Sequence, residues 1–396
     1  MRAVLRRSAA ALSGALLATA SAWAAPKLAP PPSEQDRQPE QLDLARLQGT
    51  LEQASTSNGL TIDSNLQAVA NRLLSTARPL WGGVVVTDIQ TGEVLVWSQF
   101  TRQGRPHYQQ LATRLLPSAS LFKLVTSAAL LENTPVTINT RVCVSGGDHA
   151  IERLHLEPPT FGEVRCLPFF DALGHSVNAA YAQLVTRYLA RNDLLEMIDQ
   201  LGFNRPLPFD DSARLGSAHV PFEDIAFART AAGFEQTSFT VLGASYLTNA
   251  IALEGRAPEL HLSNPRPNKS ATPRPRILRA TTARRLARMM EVTVHSGTAL
   301  EAFTEPKTGM SYLADLRIAG KTGTLRRGGS TVSWFTGFAP ARSPQIAITV
   351  ALENSETWRQ KAAELARDLL RARFAKRRGI SHPFDPQITR VTASSN

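Results

Sequence analysis

The stretch at residues 83–97, GVVVTDIQTGEVLVW, gives the first fold signal in this sequence. Two apolar runs flank a turn at residues 90–92, a pattern that is typical of a β-hairpin. Strand character returns near the other end of the chain, at residues 316–340 and 345–353. The sequence therefore predicts strands towards both ends of the chain, which can meet in one sheet.

Helical spacing of apolar residues fills most of the remaining chain. The predicted helices span residues 42–53, 66–74, 120–131, 178–190, 194–201, 239–253, 281–294 and 356–378. A segment rich in Pro and Arg, residues 263–276, is predicted to be a loop. This order predicts an α/β (α+β) fold: an antiparallel sheet from N- and C-terminal strands, flanked by helices, with an inserted all-helical lobe. A groove between the lobes is the expected place for a functional site.

Composition excludes disorder and favours some partners over others. The 396 residues are 43% hydrophobic and 19% charged, which is enough apolar content for a sizeable core. The net charge of +11 comes from 37 arginines and only 7 lysines against 33 acidic residues. No zinc finger, RNA-binding motif or basic patch interleaved with aromatic residues occurs, so we predict no nucleic-acid partner. The basic run at residues 371–378 is either a solvated helix end or a peripheral contact with the cell wall or a membrane surface.

The N-terminal segment predicts export. Arg2, Arg6 and Arg7 precede a weakly apolar stretch, and Ala22-Trp23-Ala24 places small residues at a cleavage point. We therefore predict a signal peptide at residues 1–24, with an uncleaved anchor as the alternative, and a periplasmic or other extracytoplasmic location. A flexible to partly helical lead at 25–65, a main domain at 66–378 and a tail at 379–396 complete the predicted organisation.

The two cysteines, Cys143 and Cys166, are predicted to form a disulfide, because an oxidising compartment favours pairing of an even number of cysteines. Closing this loop would stabilise the fold by about 3.4 kcal/mol through chain entropy. A zinc site that adds His149 and His155 is the alternative, although its spacing fits no common zinc finger.

Ser120 and Lys123 form the first candidate site, in the segment SLFK at residues 120–123. If a helix starts beside Ser120, the two side chains share a face near the positive end of the helix dipole. A serine hydroxyl needs a base, and lysine can be that base once its pKa is depressed, whereas arginine cannot. Lys123 is the only one of the seven lysines with a serine three residues before it. The alternative is a capping serine followed by a solvated lysine.

Ser176 and Asn178, in the segment SVN, form the second candidate site. A hydroxyl and a carboxamide on one short turn can relay a proton and orient a carbonyl group. Alternatively, one of these two side chains caps the helix predicted to begin at residue 178.

Lys321, Thr322, Gly323 and Thr324 form the third candidate site, on a predicted strand that is followed by a turn and a second strand. A cation and hydroxyl groups at a strand edge can bind the carboxylate of an extended substrate, and glycine permits its close approach. The similar segment KTG at 307–309 lacks a flanking strand pattern, so the later copy is favoured.

Ser-x-x-Lys, Ser-x-Asn and Lys-Thr-Gly, in this order, are the motif set of penicillin-binding proteins and class A β-lactamases. The chain resembles the penicillin-binding transpeptidase family over about residues 79–375. The segment at 83–97 is similar to the family's opening hairpin and the segment at 232–250 to its site-lining helix, while 296–299 and 334–340 are similar to the segments around the third motif. Little chain precedes the hairpin, so we expect a stand-alone transpeptidase domain without a glycosyltransferase domain or large N-terminal pedestal.

The resemblance implies an exported serine acyltransferase that acts on the D-Ala-D-Ala end of peptidoglycan stem peptides and needs no metal or cofactor. Ser120 would be the nucleophile and Lys123 the general base, while Ser176 and Lys321 would pass the proton to the leaving amine. The backbone N–H groups of Ser120 and Thr324 would form the oxyanion hole. The charge of Lys321 would also lower the pKa of Lys123.

The same resemblance implies the substrate-binding residues. Asn178 would hold the substrate's amide, and Lys321 with the hydroxyls of Thr322 and Thr324, beside Gly323, would bind its carboxylate. A β-lactam would acylate the nucleophile as a substrate mimic.

Two departures from the family pattern leave the subfamily open. Ala119 stands where a glycine often precedes the nucleophile, and no Thr-Pro occurs at residues 239–242. The chain is therefore interpreted as a D,D-transpeptidase or a D,D-carboxypeptidase.

Two further alternatives stay open. One is a serine β-lactamase, but its class A form would need a deacylating glutamate after the second motif, where only Phe209-Asp210-Asp211 is found. Its class D form usually carries a valine where Asn178 stands here. The other alternative is a non-catalytic sensor that binds β-lactams or wall fragments.

Overall fold

The computed structural model describes residues 48–53, 59–147, 150–160, 162–264, 274–355 and 359–375. The predicted signal peptide, most of the predicted lead, the tail and His149 of the zinc alternative lie outside these residues, as does the end of the basic run. Within the described part of the chain, no helix is both long enough and apolar enough to cross a membrane.

Ten strands are present among the described residues. They are β1 (Trp81–Asp88), β2 (Val94–Thr101), β3 (Leu116–Pro117), β4 (Arg141–Val144), β5 (Arg165–Pro168), β6 (Gly216–Ala218), β7 (Thr237–Phe239), β8 (Ala319–Arg327), β9 (Ser330–Ala339) and β10 (Ile346–Asn354).

Twelve α-helices accompany them in the same described ranges. They are α1 (Gln48–Gln53), α2 (Ser64–Ala77), α3 (Gln110–Thr113), α4 (Lys123–Asn133), α5 (Phe169–Gly174), α6 (Asn178–Tyr188), α7 (Arg191–Leu201), α8 (Asp224–Ala232), α9 (Val241–Ala252), α10 (Ala280–His295), α11 (Leu300–Phe303) and α12 (Ala362–Ala375).

The main sheet confirms the predicted architecture. Its five strands are antiparallel in the order β2-β1-β10-β9-β8, so the N-terminal hairpin pairs with the C-terminal strands. The strand that carries the third candidate site, β8, lies at the edge of the sheet. An edge strand has backbone groups available to an extended ligand.

Both faces of this sheet are covered, and successive side chains of each strand point to opposite faces. Val85 belongs to the apolar core on the inner face, where α9 packs against β1, β9 and β10. Val84 and Val86 belong to a second core on the outer face, formed with α2 and α12. Near-continuous apolar runs such as residues 84–86 are what a sheet buried on both faces needs.

The lobe inserted between β2 and β8 is mainly helical but contains two small sheets that the sequence analysis does not predict. One has the order β3-β7-β6 and the other pairs β4 with β5. The predicted disulfide is present and joins Cys143 to Cys166, which face each other across β4 and β5. The prediction of an all-helical lobe is therefore wrong in this detail, because strands of two to four residues carry almost no periodic signal.

Among the described residues, three predicted helix starts lie before the observed ones. The helix predicted from residue 120 opens with a 3₁₀ turn, Ala119–Phe122, and becomes α-helical at Lys123. The helix predicted from residue 239 begins at Val241, because Thr240 caps it by accepting a hydrogen bond from the Gly243 amide. The closing helix, predicted from 356, begins at Ala362.

Candidate active site

The turn that carries Ser120 has an unusual backbone. Ala119 adopts a φ of 47°, in the left-handed region that favours glycine. This is the position where the resemblance leads us to expect a glycine. Gly233 lies against the turn, since a Cβ on it would sit 1.8 Å from the Ala119 carbonyl oxygen. Close packing with Gly233 therefore holds the turn that presents the serine.

Lys123 follows this turn and lies fully buried behind Ser120. Its Nζ is 2.9 Å from Ser120 Oγ, 2.7 Å from Asn178 Oδ1 and 3.0 Å from the carbonyl oxygen of Ala232. Three acceptors surround an ammonium group that has three hydrogens to donate. The first and second candidate sites thus meet at one amine.

The pKa of Lys123 lies well below its ordinary value, because burial penalises the charged form and the charge of Lys321 adds to the effect. A neutral amine has two hydrogens and one lone pair. It can donate to Asn178 Oδ1 and the Ala232 carbonyl while it accepts the hydroxyl proton of Ser120. The same three contacts therefore suit a general base next to the serine. Burial is the larger cause of its lowered pKa.

Ser176 and Asn178 lie on a strained turn, where Ser176 has a φ of 58°. The N-cap of α6 is Val177, which makes no side-chain capping bond, and Asn178 is the first helical residue. Asn178 Oδ1 instead accepts from Lys123. The helix-cap interpretation of this motif is therefore wrong.

Lys321 reaches the same turn from β8. Its Nζ donates to Ser176 Oγ at 3.1 Å and to the carbonyl oxygen of Thr322 at 2.8 Å. The side chain is fully buried, and burial lowers its pKa to about 7. Each of the two buried lysines thus contacts one serine.

The two faces of β8 have different neighbours. Side chains alternate along a strand, so Lys321 and Gly323 point to the inner face while Thr322 and Thr324 point to the outer face. A Cβ on Gly323 would lie 2.9 Å from Leu121, in the nucleophile turn. Gly323 therefore lets β8 pack closely against the nucleophile turn, while its role in substrate binding stays a prediction.

A cleft of about 850 Å³ joins the three candidate sites. Six of the predicted residues line it, and the two lysines lie buried behind its wall. The six are Ser120, Ser176, Asn178, Thr322, Gly323 and Thr324. The structure thus brings together all eight residues predicted to catalyse or to bind substrate.

Sequence reasoning assigned no individual role to several lining residues. Ala232, Gly233 and Phe234 line the cleft, but α9, from the segment expected to line it, packs against the sheet instead. A backbone carbonyl such as that of Ala232 leaves no signal in a sequence. Thr298 also lines the cleft, beside Thr322 Oγ1, and the Ser-Gly-Thr segment at 296–298 was the available signal.

Residues of the second KTG segment and of the β-lactamase alternative do not line the cleft. Thr308 of the second KTG segment is exposed and donates to Glu305. Asp210 accepts hydrogen bonds from the backbone amides of Leu262 and Ser263 and does not line the cleft. No cluster of three metal-ligating side chains occurs among the residues that the structure describes.

Comparison with known proteins agrees with this geometry. Residues 82–371 match the family described as "Penicillin binding protein transpeptidase domain". The chain belongs to this family. The match covers β1 to β10 and most of α12, and so includes all three motifs and the cleft.

Curated relatives are distant and longer. Stage V sporulation protein D of Bacillus subtilis is 24% identical over 329 residues, which cover 74% of this chain and 49% of the relative. Peptidoglycan D,D-transpeptidase PbpA of Mycobacterium tuberculosis is 26% identical over 289 residues, covering 65% of this chain and 54% of PbpA. This chain thus spans about half the length of these relatives.

Solved structures share the fold. Penicillin-binding protein A from M. tuberculosis, as a ceftriaxone acyl-enzyme complex, superposes with a TM-score of 0.62 at 21% identity over 83% of each chain. The D,D-transpeptidase domain of a peptidoglycan glycosyltransferase from Eggerthella lenta gives 0.62 at 22% identity, over 84% of this chain and 87% of that one. These likenesses confirm the predicted fold class.

Proposed function

We propose that this chain is an exported serine acyltransferase that acts on the D-Ala-D-Ala end of peptidoglycan stem peptides, as a D,D-transpeptidase or D,D-carboxypeptidase. The family supports a peptidoglycan substrate and β-lactam binding. The observation that carries the proposal is the buried amine of Lys123, held 2.9 Å from Ser120 Oγ by two other acceptors.

Acylation begins with proton transfer from Ser120 to neutral Lys123. The serine oxygen attacks the carbonyl carbon of the penultimate D-Ala, and a tetrahedral oxyanion forms. The backbone N–H groups of Ser120 and Thr324, which both line the cleft, are assigned to this oxyanion. Because Lys123 is fixed by Asn178 and the Ala232 carbonyl, little reorganisation precedes the transfer.

Departure of the terminal D-Ala requires a proton on its nitrogen. Ser176 is placed to donate it, because its hydroxyl contacts Lys321 Nζ at 3.1 Å. Lys321, with a pKa of about 7, can replace the proton that Ser176 gives up. The peptide C–N bond breaks, and the acyl group stays on Ser120 as an ester.

Substrate binding uses the remaining side chains. Thr322 and Thr324 offer hydroxyl groups, and Lys321 a charge, for the terminal carboxylate. Asn178 links base and substrate, since its Oδ1 already accepts from Lys123. A β-lactam carries an amide and a carboxylate in a similar arrangement and would acylate the same serine.

Labelling of the full chain with a fluorescent penicillin, followed by intact mass over hours, tests the proposal. We expect a stable penicilloyl adduct in the wild type and none in Ser120→Ala. Ser118→Ala is the matched control: its buried hydroxyl contacts Thr237 in the inserted lobe, and the adduct should persist.

Two results would overturn the proposal. An adduct that forms and disappears while hydrolysed drug accumulates would indicate a β-lactamase. If wild type and Ser118→Ala both fold and neither is labelled, the nucleophile assignment fails and a wall-binding module is left.

A further inference from the structure

Tyr181 is a buried residue beside Lys123 to which the proposed mechanism assigns no role. It lies on α6 three residues after Asn178, so the two side chains share one face of the helix. The Tyr181 side chain is fully buried, and Lys123 Nζ lies over its ring, 5.3 Å from the ring centroid. The face of an aromatic ring attracts a cation that lies within about 6 Å of its centroid. Lys123, once protonated, is therefore within reach of this attraction.

The ring of Tyr181 is held in place by two contacts. Its hydroxyl oxygen lies 2.6 Å from Ser127 Oγ, and Ser127 follows Lys123 by about one turn of α4. Phe169 packs against the ring, with the two ring centroids 5.7 Å apart. The ring thus has its orientation towards Lys123 before any proton moves, as preorganised stabilisation of a charge requires.

Tyr181 faces Lys123 as a neutral ring. Burial raises the pKa of the tyrosine hydroxyl above its ordinary value of 10.0, so the phenol keeps its proton near pH 7. That hydroxyl contacts Ser127, while the face of the ring is turned to the amine. The group next to Lys123 is therefore the electron-rich face of an uncharged aromatic ring.

Acylation requires Lys123 to carry a charge in a place where charge is disfavoured. Burial penalises its ammonium form, and the charge of Lys321 on β8 adds to the penalty. The helices α6 and α8 supply two neutral acceptors, Asn178 Oδ1 and the carbonyl oxygen of Ala232. The face of the Tyr181 ring is a further group around the amine that attracts positive charge.

The other helices that pack against α4, α7 and α10, meet it near its far end. Arg279 at the start of α10 pairs with Glu132, which lies about 2.5 turns of α4 away from Lys123. Asp193 of α7 accepts a hydrogen bond through its backbone carbonyl from Asn133, the last residue of α4. In the part of the chain that the structure describes, the titratable groups that face the Lys123 amine are therefore Lys321 and Tyr181.

We propose that Tyr181 is a positioning residue for acylation, and that the face of its ring stabilises the ammonium group that Lys123 forms when it takes the Ser120 proton. The inference rests on the proposed function. In this step the Oγ–H bond of Ser120 breaks and the lone pair of Lys123 Nζ takes the proton, so no further reactant is needed. A ring attracts an ammonium group more strongly than a neutral amine, so the contact strengthens as the proton arrives. An interaction that is stronger in the transition state than in the ground state raises the rate.

A series of rings at position 181 tests the inference in the full-length chain. Tyr181→Phe is the reference, and it is compared with proteins that carry monofluoro-, difluoro- or trifluorophenylalanine at the same position. Fluorine withdraws electrons from the face of the ring but leaves the shape of the ring almost unchanged. The rate of acylation of Ser120 by a fluorescent penicillin is then measured as a function of pH.

We expect this rate at pH 7 to fall stepwise along the series, by about three- to tenfold from Tyr181→Phe to the trifluoro protein, the effect of one desolvated cation–π contact. The acid limb of the pH profile should move to lower pH by up to about one unit, because a less stabilised ammonium group loses its proton more readily. The rates should converge at low pH, where Lys123 carries its proton before the reaction as well as during it.

Position 203 provides the matched control. Phe203 is buried in the same inserted lobe, and its ring packs edge-on against the rings of Phe122 and Phe239. The same fluorinated amino acids at position 203 should change the acylation rate less than twofold and leave the acid limb in place. An equal loss of rate at positions 181 and 203 would indicate a general effect of fluorine on packing and would overturn the inference.

The failures can be told apart. If Ser120 is acylated at the same rate across the series at position 181, or if the loss of rate is as large at low pH as at pH 7, the ring only fills space and the inference fails alone. If Ser120 is not acylated even in the wild type, the proposed function fails and the inference fails with it.

Discussion

The two lysine–serine pairs of the cleft consist of the same residue types but are assembled differently. Lys123 and Ser120 are three residues apart, and one 3₁₀ turn brings them together. Lys321 and Ser176 are 145 residues apart and meet only because β8 lies at the sheet edge beside the inserted lobe. One pair is local and the other depends on the whole fold.

Their surroundings explain why the two amines can have different roles. Both lysines are fully buried, and the pKa of each is lowered by that burial. The charge of Lys321 adds to the effect of burial on the pKa of Lys123, which favours a neutral base. Lys321, with a pKa of about 7, can still carry a proton or a charge near neutral pH. A proton relay needs one amine of each kind.

Replacing Lys123 should have the largest effect. Lys123→Met removes the proposed base next to Ser120, and general-base catalysis contributes about 10²–10⁴-fold to such a step. We expect penicillin acylation to slow by about 10²–10⁴-fold, as measured by the rate of adduct formation in intact mass. Lys123→Arg is the control, because it keeps a cation but cannot accept the proton. Comparable rates for Lys123→Arg and wild type would rule out the base assignment.

Replacing Lys321 should give a smaller, pH-dependent effect. We propose that its ammonium group binds the carboxylate of the ligand, and this group loses its proton as pH rises through about 7. The acylation efficiency of wild type with a penicillin should therefore decline above pH 7. In Lys321→Met the efficiency should be lower at pH 6, by about tenfold to a hundredfold, and this decline should be absent. Identical pH profiles for the two proteins would contradict the assignment.

The free energy of unfolding should change with pH in the opposite direction to the acylation efficiency. The folded pKa of Lys321 is about 7 and the ordinary value is 10.5, so between these pH values the unfolded chain binds more protons. The stability of wild type should therefore rise with pH over this range. Lys321→Met should raise the free energy of unfolding by a few kcal/mol, about 2–4, at pH 6, and the gain should shrink towards pH 10. Urea unfolding at both pH values measures this, and a loss of stability at pH 6 would refute it.

The smallest effect is expected for a substitution in the turn that carries Ser120. Ala119 has a φ of 47°, a conformation that costs a residue other than glycine about 1–2 kcal/mol. Ala119→Gly should raise the free energy of unfolding by about 0.5–1 kcal/mol, because the greater freedom of glycine in the unfolded chain offsets part of the gain. Penicillin acylation should change less than twofold. A destabilised Ala119→Gly protein would show that the turn is not strained.

The same contrast explains what could be predicted from the sequence. The spacing of Ser120 and Lys123, the hairpin at residues 83–97 and the long helices are local patterns, so they could be found along the chain. The motif set indicated the family and hence the meeting of Ser176 with Lys321, which no local pattern gives. The family match confirms this resemblance.

Other features depend on tertiary contacts and had no sequence signal. Ala232 contacts Lys123 through its backbone carbonyl oxygen, and the close packing of Gly323 on the turn at 119–122 arises only in the folded chain. Ser333 lies next to a conspicuous Trp-Phe pair, but only its pairing with Thr324 places it in the cleft. The small sheets of the inserted lobe have strands too short for periodicity to show.

Direct titration of the lysines tests the central claim, that two buried amines with lowered pKa values share the cleft. The chain has only seven lysines, so their ¹³Cε resonances can be resolved in protein labelled selectively at lysine. The resonances of Lys123 and Lys321 are assigned by their loss in Lys123→Met and Lys321→Met. We predict two resonances that titrate well below the ordinary value, one near pH 7 from Lys321 and the other from Lys123. If all seven resonances titrate together near the ordinary value of 10.5, neither amine can play its role, and the account fails.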